Sequence, residues 1–233
     1  TNGWCRQRQG QGTDAAALQY KAGDGPLALF ETRSVHPLVL LDSGGRAYTL
    51  RIADLPSGRG DGVPFASLVE LAEGAKLAHA LSAPADSRWL FSTSIGYGFV
   101  GRLGDLVSRQ RAGKAFLSVE AGHAPLPPVA VDADWVAAGA SNGRLLCFPL
   151  AEVKEGSGGK GAQLIKLDAA DRLTTLALFG GQSLTVTGAA RGKTELRAKL
   201  AGETLGKYKG RRANRGTLLH RNLVPTRLGG GEG

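Results

Sequence analysis

The chain has 233 residues, 42% of them hydrophobic and 21% charged, a balance that supports a buried core and excludes a disordered polyelectrolyte. Its formal net charge is +9 and its sequence pI is near 9.9, which favours a polyanionic partner over a cationic or neutral one. No apolar run reaches the length of a membrane span and nothing reads as a secretory leader, so no membrane partner and a cytoplasmic location are expected.

In chain order, Gly3-Trp4-Cys5-Arg6 reads as the second strand of a hairpin, with a loop at residues 7–12. The apolar strand Leu38-Val39-Leu40-Leu41, the turn Asp42-Ser43-Gly44-Gly45 and a strand through Tyr48 form the first full hairpin. Trp89-Leu90-Phe91-Ser92, Ser94-Ile95-Gly96 and Phe99 form the next; Trp135-Val136-Ala137-Ala138, Ser141-Asn142-Gly143 and Phe148 the one after. Thr175-Leu176-Ala177-Leu178 is a further apolar strand, and Leu184-Thr185-Val186-Thr187 is expected to pair with a strand at residues 193–196. Gly-Gly and Asn-Gly supply the positive φ that such turns need.

The hairpins share a phrase. Counted from Gly45, Gly96 and Gly143, position +7 is Ile52, Leu103 or Leu150, position +9 is Asp54, Asp105 or Glu152, and position +10 is Leu55, Leu106 or Val153. The repeat recurs after 51 and then 47 residues, the signature of one supersecondary unit stacked several times. Aliphatics three apart suit the inner face of one helical turn, and the acid suits a cap that offsets the turn's dipole. The last copy, counted from Gly192, carries Ala201 at +9 and so loses the acid.

After each phrase comes a loop rich in Gly and cations, at residues 57–62, 109–115, 156–161 and 206–212, and then a further strand, expected at 66–71, 116–119, 163–167 and 216–219. Gly3, Gly45, Gly96, Gly143 and Gly192 give five units. The expected organisation is one domain over residues 1–228, with blades near 1–60, 61–112, 113–160 and 161–205, a closing segment at 206–228 and a flexible tail at 229–233. Cys5 and Cys147 fall in apolar strand patterns and are expected as reduced, buried thiols. A chain that opens on Thr1 and contains no Met is expected to be a piece of something longer.

Motifs for catalysis are missing. Gly113-Lys114 is followed by Ala115 and Gly159-Lys160 by Gly161, so neither makes a phosphate loop with a magnesium-binding hydroxyl. The four His have no metal-ligand spacing, no nucleophile elbow occurs, and Arg59-Gly60-Asp61 is an incidental tripeptide within a repeated loop. No catalytic or metal residue is therefore expected. Binding chemistry is present instead. Between Arg191 and Arg221 lie ten Lys/Arg and two acids. Gly lets backbone N–H groups approach a phosphate while Arg and Lys neutralise it, and without a recognition helix the contact would read the DNA backbone with little sequence preference. The candidate phosphate contacts are Arg6, Arg8, Arg46, Arg59, Arg109, Arg111, Lys114, Arg144, Lys160, Lys207, Lys209, Arg211, Arg212 and Arg215.

The stretches Tyr20-Lys21-Ala22-Gly23-Asp24, Gly96-Tyr97-Gly98-Phe99-Val100, residues 105–115 and Arg215-Gly216-Thr217-Leu218-Leu219 occur in order and in register with the repeat. They resemble the C-terminal domain of the DNA-cleaving polypeptide of the bacterial type IIA topoisomerases, on the topoisomerase IV (ParC) side. The gyrase side carries a Gln-Arg-Arg-Gly-Gly-Lys-Gly box on its first blade. Here residues 6–12 keep part of it, and the nearest copies, at 109–115 and 158–161, stand in later repeats. The resemblance implies an all-β fold: a β-pinwheel, a propeller-like ring of about five blades of four antiparallel strands, binding double-stranded DNA on its outer edge. It implies that this fragment is non-catalytic, needs no cofactor, is monomeric alone, and bends DNA without strong chiral wrapping. The catalytic Tyr, the magnesium site and the ATPase would lie on the remainder of the ParC polypeptide and on the separate ATPase polypeptide of the heterotetramer. Alternatives are a gyrase-type DNA-wrapping domain and a kelch- or WD-type protein-interaction propeller; no Trp-Asp repeat ending supports the latter.

Overall fold

The computed structural model of the chain describes residues 3–10, 12, 20, 22–23, 25–56, 62–189, 195–220 and 223–230. The chain groups into two compact units, one of Thr1–Ser87 with Arg102–Phe116, the other of Arg88–Gly101 with Leu117–Gly233. Each is built from antiparallel sheets, and two very short helices, α1 (Phe65–Leu68) and α2 (Gly202–Gly206), lie among the strands.

The first unit holds two sheets. One pairs β1 (Trp4–Cys5) with β4 (Val63–Pro64). The other runs β5 (Leu77–Ser82), β2 (Pro37–Asp42), β3 (Arg46–Arg51), β8 (Lys114–Ala115). The second unit holds three. One runs β12 (Ala162–Gln163), β7 (Tyr97–Arg102), β6 (Arg88–Ser92), β9 (Val129–Ala130). The next runs β13 (Leu173–Phe179), β10 (Trp135–Ala140), β11 (Arg144–Pro149), β16 (Thr217–Leu218). The last runs β15 (Glu195–Ala201), β14 (Ser183–Ala189), β17 (Val224–Gly230). Among the described residues, three of the five sheets therefore have four strands, one has three and one has two.

The hairpins form where the sequence places them, and for the stated reason. Gly45, Gly96 and Gly143 have φ of 85°, 89° and 79°. Each donates its N–H three residues back, to the carbonyls of Asp42, Thr93 and Ala140, closing a turn that ends in a left-handed glycine. Asp42 does more in the first turn. Its Oδ1 accepts the N–H groups of Gly44 and Arg46, both at 2.9 Å, and its Oδ2 accepts the Tyr48 hydroxyl at 2.8 Å. Tyr48 in turn accepts the Ala72 N–H, so a buried carboxylate and a buried phenol satisfy one another.

The aliphatics at +7 and +10 are buried in all three copies, on short 3-10 turns at Ile52–Asp54, Leu103–Leu106 and Leu150–Glu152. The acids at +9 behave less uniformly than capping predicts. Asp105 caps its own turn, accepting the Arg102 N–H at 3.1 Å. Asp54 instead takes the Arg51 guanidinium through both oxygens, at 2.7 and 2.8 Å, and Glu152 accepts the backbone N–H of Arg212 at 2.7 Å.

Three expectations need correction. The strands expected at 66–71, 116–119 and 163–167 are placed differently. Residues 65–68 form α1, and the other two strands end at Ala115 and Gln163; the apolar pairs Phe116-Leu117 and Leu164-Ile165 that follow are core residues beyond the ladder. Thr175 to Leu178 belongs to the sheet of the preceding hairpin, as β13 beside β10. The tail expected from Gly229 begins later, because Gly229 and Gly230 pair with Thr185 and Leu184 as the end of β17. Cys147 is buried as expected, whereas Cys5 is only half-buried; both thiols are free.

The connectivity holds a feature that periodicity does not reveal. The short fourth strand of each sheet comes from one repeat further along the chain. β4 joins β1, β8 joins β3, β12 joins β7 and β16 joins β11, always beside residues +1 and +2 of the older hairpin. The sheets therefore exchange strands across the contiguous segments expected as blades.

Candidate nucleic-acid interface

The exchanged strands fix where the basic loops stand. Each loop precedes a fourth strand, and each is fastened at both ends to the second strand of the preceding hairpin. At the entry end the partner is position +4. Gln7 N–H donates to Pro56 O at 2.9 Å, and Ser108 N–H donates to Thr49 Oγ1 at 2.9 Å. Val100 exchanges bonds with Lys154 O and Gly156 N–H, at 3.1 and 2.9 Å, and Cys147 does so with Tyr208 O and Gly210 N–H, at 2.8 and 2.9 Å.

At the exit end the partner is position +2. Gly62, Gly113, Gly161 and Gly216 all have positive φ, and a Cβ on any of them would collide with the carbonyl oxygen of Cys5, Ala47, Gly98 or Leu145 respectively. These glycines are required by backbone-on-backbone packing. Their recurrence in the loops therefore has a structural cause besides any access they give to phosphate.

Position +1 adds a clamp. The Arg46 guanidinium donates to the carbonyls of Ala112 and Gly113, and that of Arg144 donates to Gly216 O at 2.8 Å. Between them in the repeat stands Tyr97, whose ring lies 4.2 Å beneath Lys160 Nζ. The same position thus grips the incoming loop three times with two chemistries.

Within each unit, consecutive loops lie side by side. In the first, Arg111 Nη2 donates to Ser67 O at 3.1 Å and Arg111 O accepts Glu70 N–H at 3.0 Å, joining loop 108–113 to the segment that follows residues 57–61. In the second, Arg212 spans loop 154–161 from flank to flank. Its Nε donates to Glu152 O at 2.8 Å and its Nη1 to Gln163 O. Ala213 N–H to Leu164 O and Lys166 N–H to Asn214 O, at 2.9 and 3.0 Å, complete that seam.

The fourteen cations named from the sequence now separate by what they touch. Arg46, Arg111, Arg144 and Arg212 are spent on backbone carbonyls. Lys209 donates to Gly181 O at 2.8 Å and sits 4.2 Å over the Trp135 ring. Lys160 lies 2.6 Å from Glu120, and Arg215 lies 2.9 Å from Asp168. Arg8, Arg109, Lys207 and Arg211 are exposed and make no side-chain hydrogen bond or ion pair among the described residues. Arg6 and Lys114 are half-buried, and Arg59 lies outside the described residues. Sequence reasoning missed Tyr97, Trp135, Glu120 and Asp168, although the +1 position of Tyr97 was open to inspection once the repeats were aligned. Among the described residues no three His, Cys, Asp or Glu side chains gather as a metal site needs, and no helix is long and apolar enough to cross a membrane.

No family model matches the chain. The chain is 36% identical over 225 residues to the DNA topoisomerase 4 polypeptide ParC (the A-type chain of that enzyme) of Escherichia coli K12, an alignment covering 93% of this chain and 29% of that protein. It is 38% identical over 230 residues to the protein of the same name from Pseudomonas aeruginosa, covering 95% of this chain and 30% of that one. The chain thus spans under a third of the length of the curated relatives it matches. Among solved structures, the E. coli ParC C-terminal domain is 36% identical and superposes with a TM-score of 0.87, covering 98% of this chain and 94% of that one. The DNA gyrase A C-terminal domain superposes with a TM-score of 0.58 over 80% of this chain and 60% of that one, at 14% identity, a likeness of fold alone. The fold is all-β and is the β-pinwheel these domains share.

Proposed function

Because the chain belongs to the family of topoisomerase IV ParC C-terminal domains, we propose that it is the part of ParC that binds and bends duplex DNA. The observation that carries this reading is the fastening of every described basic loop to one edge of its sheet, with neighbouring loops abutting inside each unit. Arg8, Arg109, Lys207 and Arg211 are the cations freest to meet phosphates, and Lys160, Arg215 and Lys209 can join by exchanging partners. Contacts from such loops would be to the sugar-phosphate backbone, which positions DNA without reading its sequence.

In the whole enzyme this domain would present a duplex segment to a cleavage core elsewhere on ParC, with ATP and magnesium used outside this chain and a separate ATPase polypeptide as partner. Lacking an intact gyrase-type box, it would bend DNA without strong chiral wrapping; large positive writhe per bound chain in a DNA-circle ligation assay would contradict that. Bending a site of about 20–30 bp costs roughly 1–6 kcal/mol, offset by the added contacts.

The test is fluorescence-anisotropy titration of a short duplex across a salt series. Neutralising about six phosphates gives a log K against log salt slope near −5, equal for unrelated sequences. A flat salt dependence, or an Arg211→Glu variant that binds as tightly as the parent chain, would overturn the reading.

A further inference from the structure

The second unit contains the same ion pair built twice, from different residues, at equivalent places in the repeat. Lys160 and Arg215 each stand immediately before the tight glycine that begins a fourth strand, Gly161 and Gly216. Each loop is seamed to its neighbour by one backbone bond, Ser118 N–H to Gly159 O and Lys166 N–H to Asn214 O, both at 3.0 Å. Two residues beyond each of those donors stands an acid, Glu120 or Asp168. Lys160 Nζ lies 2.6 Å from Glu120 Oε1, and the Arg215 fork donates to both oxygens of Asp168 at 2.9 Å. One pair is Lys with Glu and the other Arg with Asp, so position in the repeat, not a particular side-chain match, brings them together.

Resting on the DNA-binding reading above, we propose that Glu120 and Asp168 are attenuating residues: each holds a loop cation that a DNA phosphate would otherwise take. A carboxylate and a phosphate oxygen seek the same N–H donors, and a bidentate Arg fork can serve only one of them at a time. The pairs stand in solvent, with side-chain exposures of 43% and 47% for Lys160 and Glu120 and 52% and 60% for Arg215 and Asp168, so a phosphate can reach the cations. The Lys160 hydrogen bond holds the Glu120 carboxyl below its ordinary range and Lys160 above its own, keeping both charged at neutral pH. The Tyr97 ring under Lys160 keeps the ammonium in the loop plane whichever anion it serves. DNA must therefore displace two carboxylates to recruit two of the cations flanking the seam. Loosely held polyanions, unable to do so, see only the unpaired cations such as Arg211.

The test compares duplex binding by the parent chain with Glu120→Gln and Asp168→Asn, and with each acid variant combined with loss of its cation, Lys160→Met or Arg215→Met. Removing either acid should tighten binding roughly two- to fivefold at low salt, the range an exposed ion pair can contribute. It should also steepen the salt slope by about 0.9 for each cation released to a phosphate. In the Lys160→Met and Arg215→Met backgrounds the same acid changes should give no gain. A gain of equal size without the cation would mean general charge repulsion and would overturn the proposal, as would no gain in the parent background. If neither the parent chain nor the acid variants bind duplex in a salt-dependent manner, the DNA-binding reading fails first and the attenuating role falls with it.

Discussion

Replacing Gly161 with alanine should cost far more stability than replacing Gly159, only two residues away in the same loop. Both glycines have positive φ, 78° and 100°, so each alanine variant carries a backbone strain of about 1–2 kcal/mol. The surroundings differ. A Cβ at Gly159 meets nothing within 4 Å, whereas one at Gly161 runs into the backbone of Gly98, which cannot rotate away. Relief requires β12 to lift off β7, giving up the two-residue pairing of Ala162 with Gly98 and Gln163 with Tyr97. Two backbone hydrogen bonds at about 0.5–1.5 kcal/mol each add about 1–3 kcal/mol. The expected losses are about 1–2 kcal/mol for Gly159→Ala and about 2–5 kcal/mol for Gly161→Ala, a large share of a stability of about 5–15 kcal/mol. Urea unfolding measures the difference. With a slope of about 2 kcal/mol/M, the two midpoints should stand about 0.5–1.5 M apart. Equal midpoints would refute the claim that close backbone approach is what fastens this loop.

Arg144→Met should weaken duplex binding while leaving the salt slope unchanged, since Arg144 holds Gly216 O; Arg211→Ala should reduce the slope by about 0.9. A full-unit slope change for Arg144→Met in the same titration would make it a phosphate contact. Tyr48→Phe removes the donor from the buried Asp42 carboxylate and the acceptor from Ala72 N–H, and should cost about 1–3 kcal/mol by urea unfolding. Burial pushes the Cys147 thiol up to about 12 from an ordinary 9.0, despite a smaller opposing pull from Lys209. The thiol stays protonated in the folded chain after the unfolded one has ionised, so its contribution is complete below pH 9.0 and is lost as pH rises toward 12. Urea midpoints should fall over that window, and iodoacetamide at pH about 8 should label Cys147 only after unfolding.

Much of the architecture is legible in the residues. Asp42 to Gly45 and Ser141 to Gly143 announce their turns because few residues tolerate the required φ, and the +7 and +10 aliphatics announce a buried helical turn. The exchanged strands do not announce themselves. Lys114-Ala115 and Ala162-Gln163 are two residues long, too short for any alternation of polarity, and their partners belong to the preceding repeat. The apolar pairs just beyond them drew the expected strands two residues too far. The cations were legible as a class but not as individuals. Arg144 and Arg211 look alike in sequence, and what separates them is a carbonyl at Gly216 that only the folded chain brings within reach. Glu120 and Asp168 were invisible for the same reason.

Borrowed strands also dictate an order of assembly. As the polypeptide leaves the ribosome, the hairpin of β2 and β3 cannot acquire β8 until residues 114–115 have emerged, and the hairpin of β10 and β11 must wait for 217–218. Completion of each sheet thus trails its own synthesis by a full repeat, leaving a backbone edge temporarily open to solvent and to stray partners. The lysines and arginines crowded beside that edge would repel a second nascent copy during the wait, so one set of charges can protect the growing chain before it ever meets its ligand.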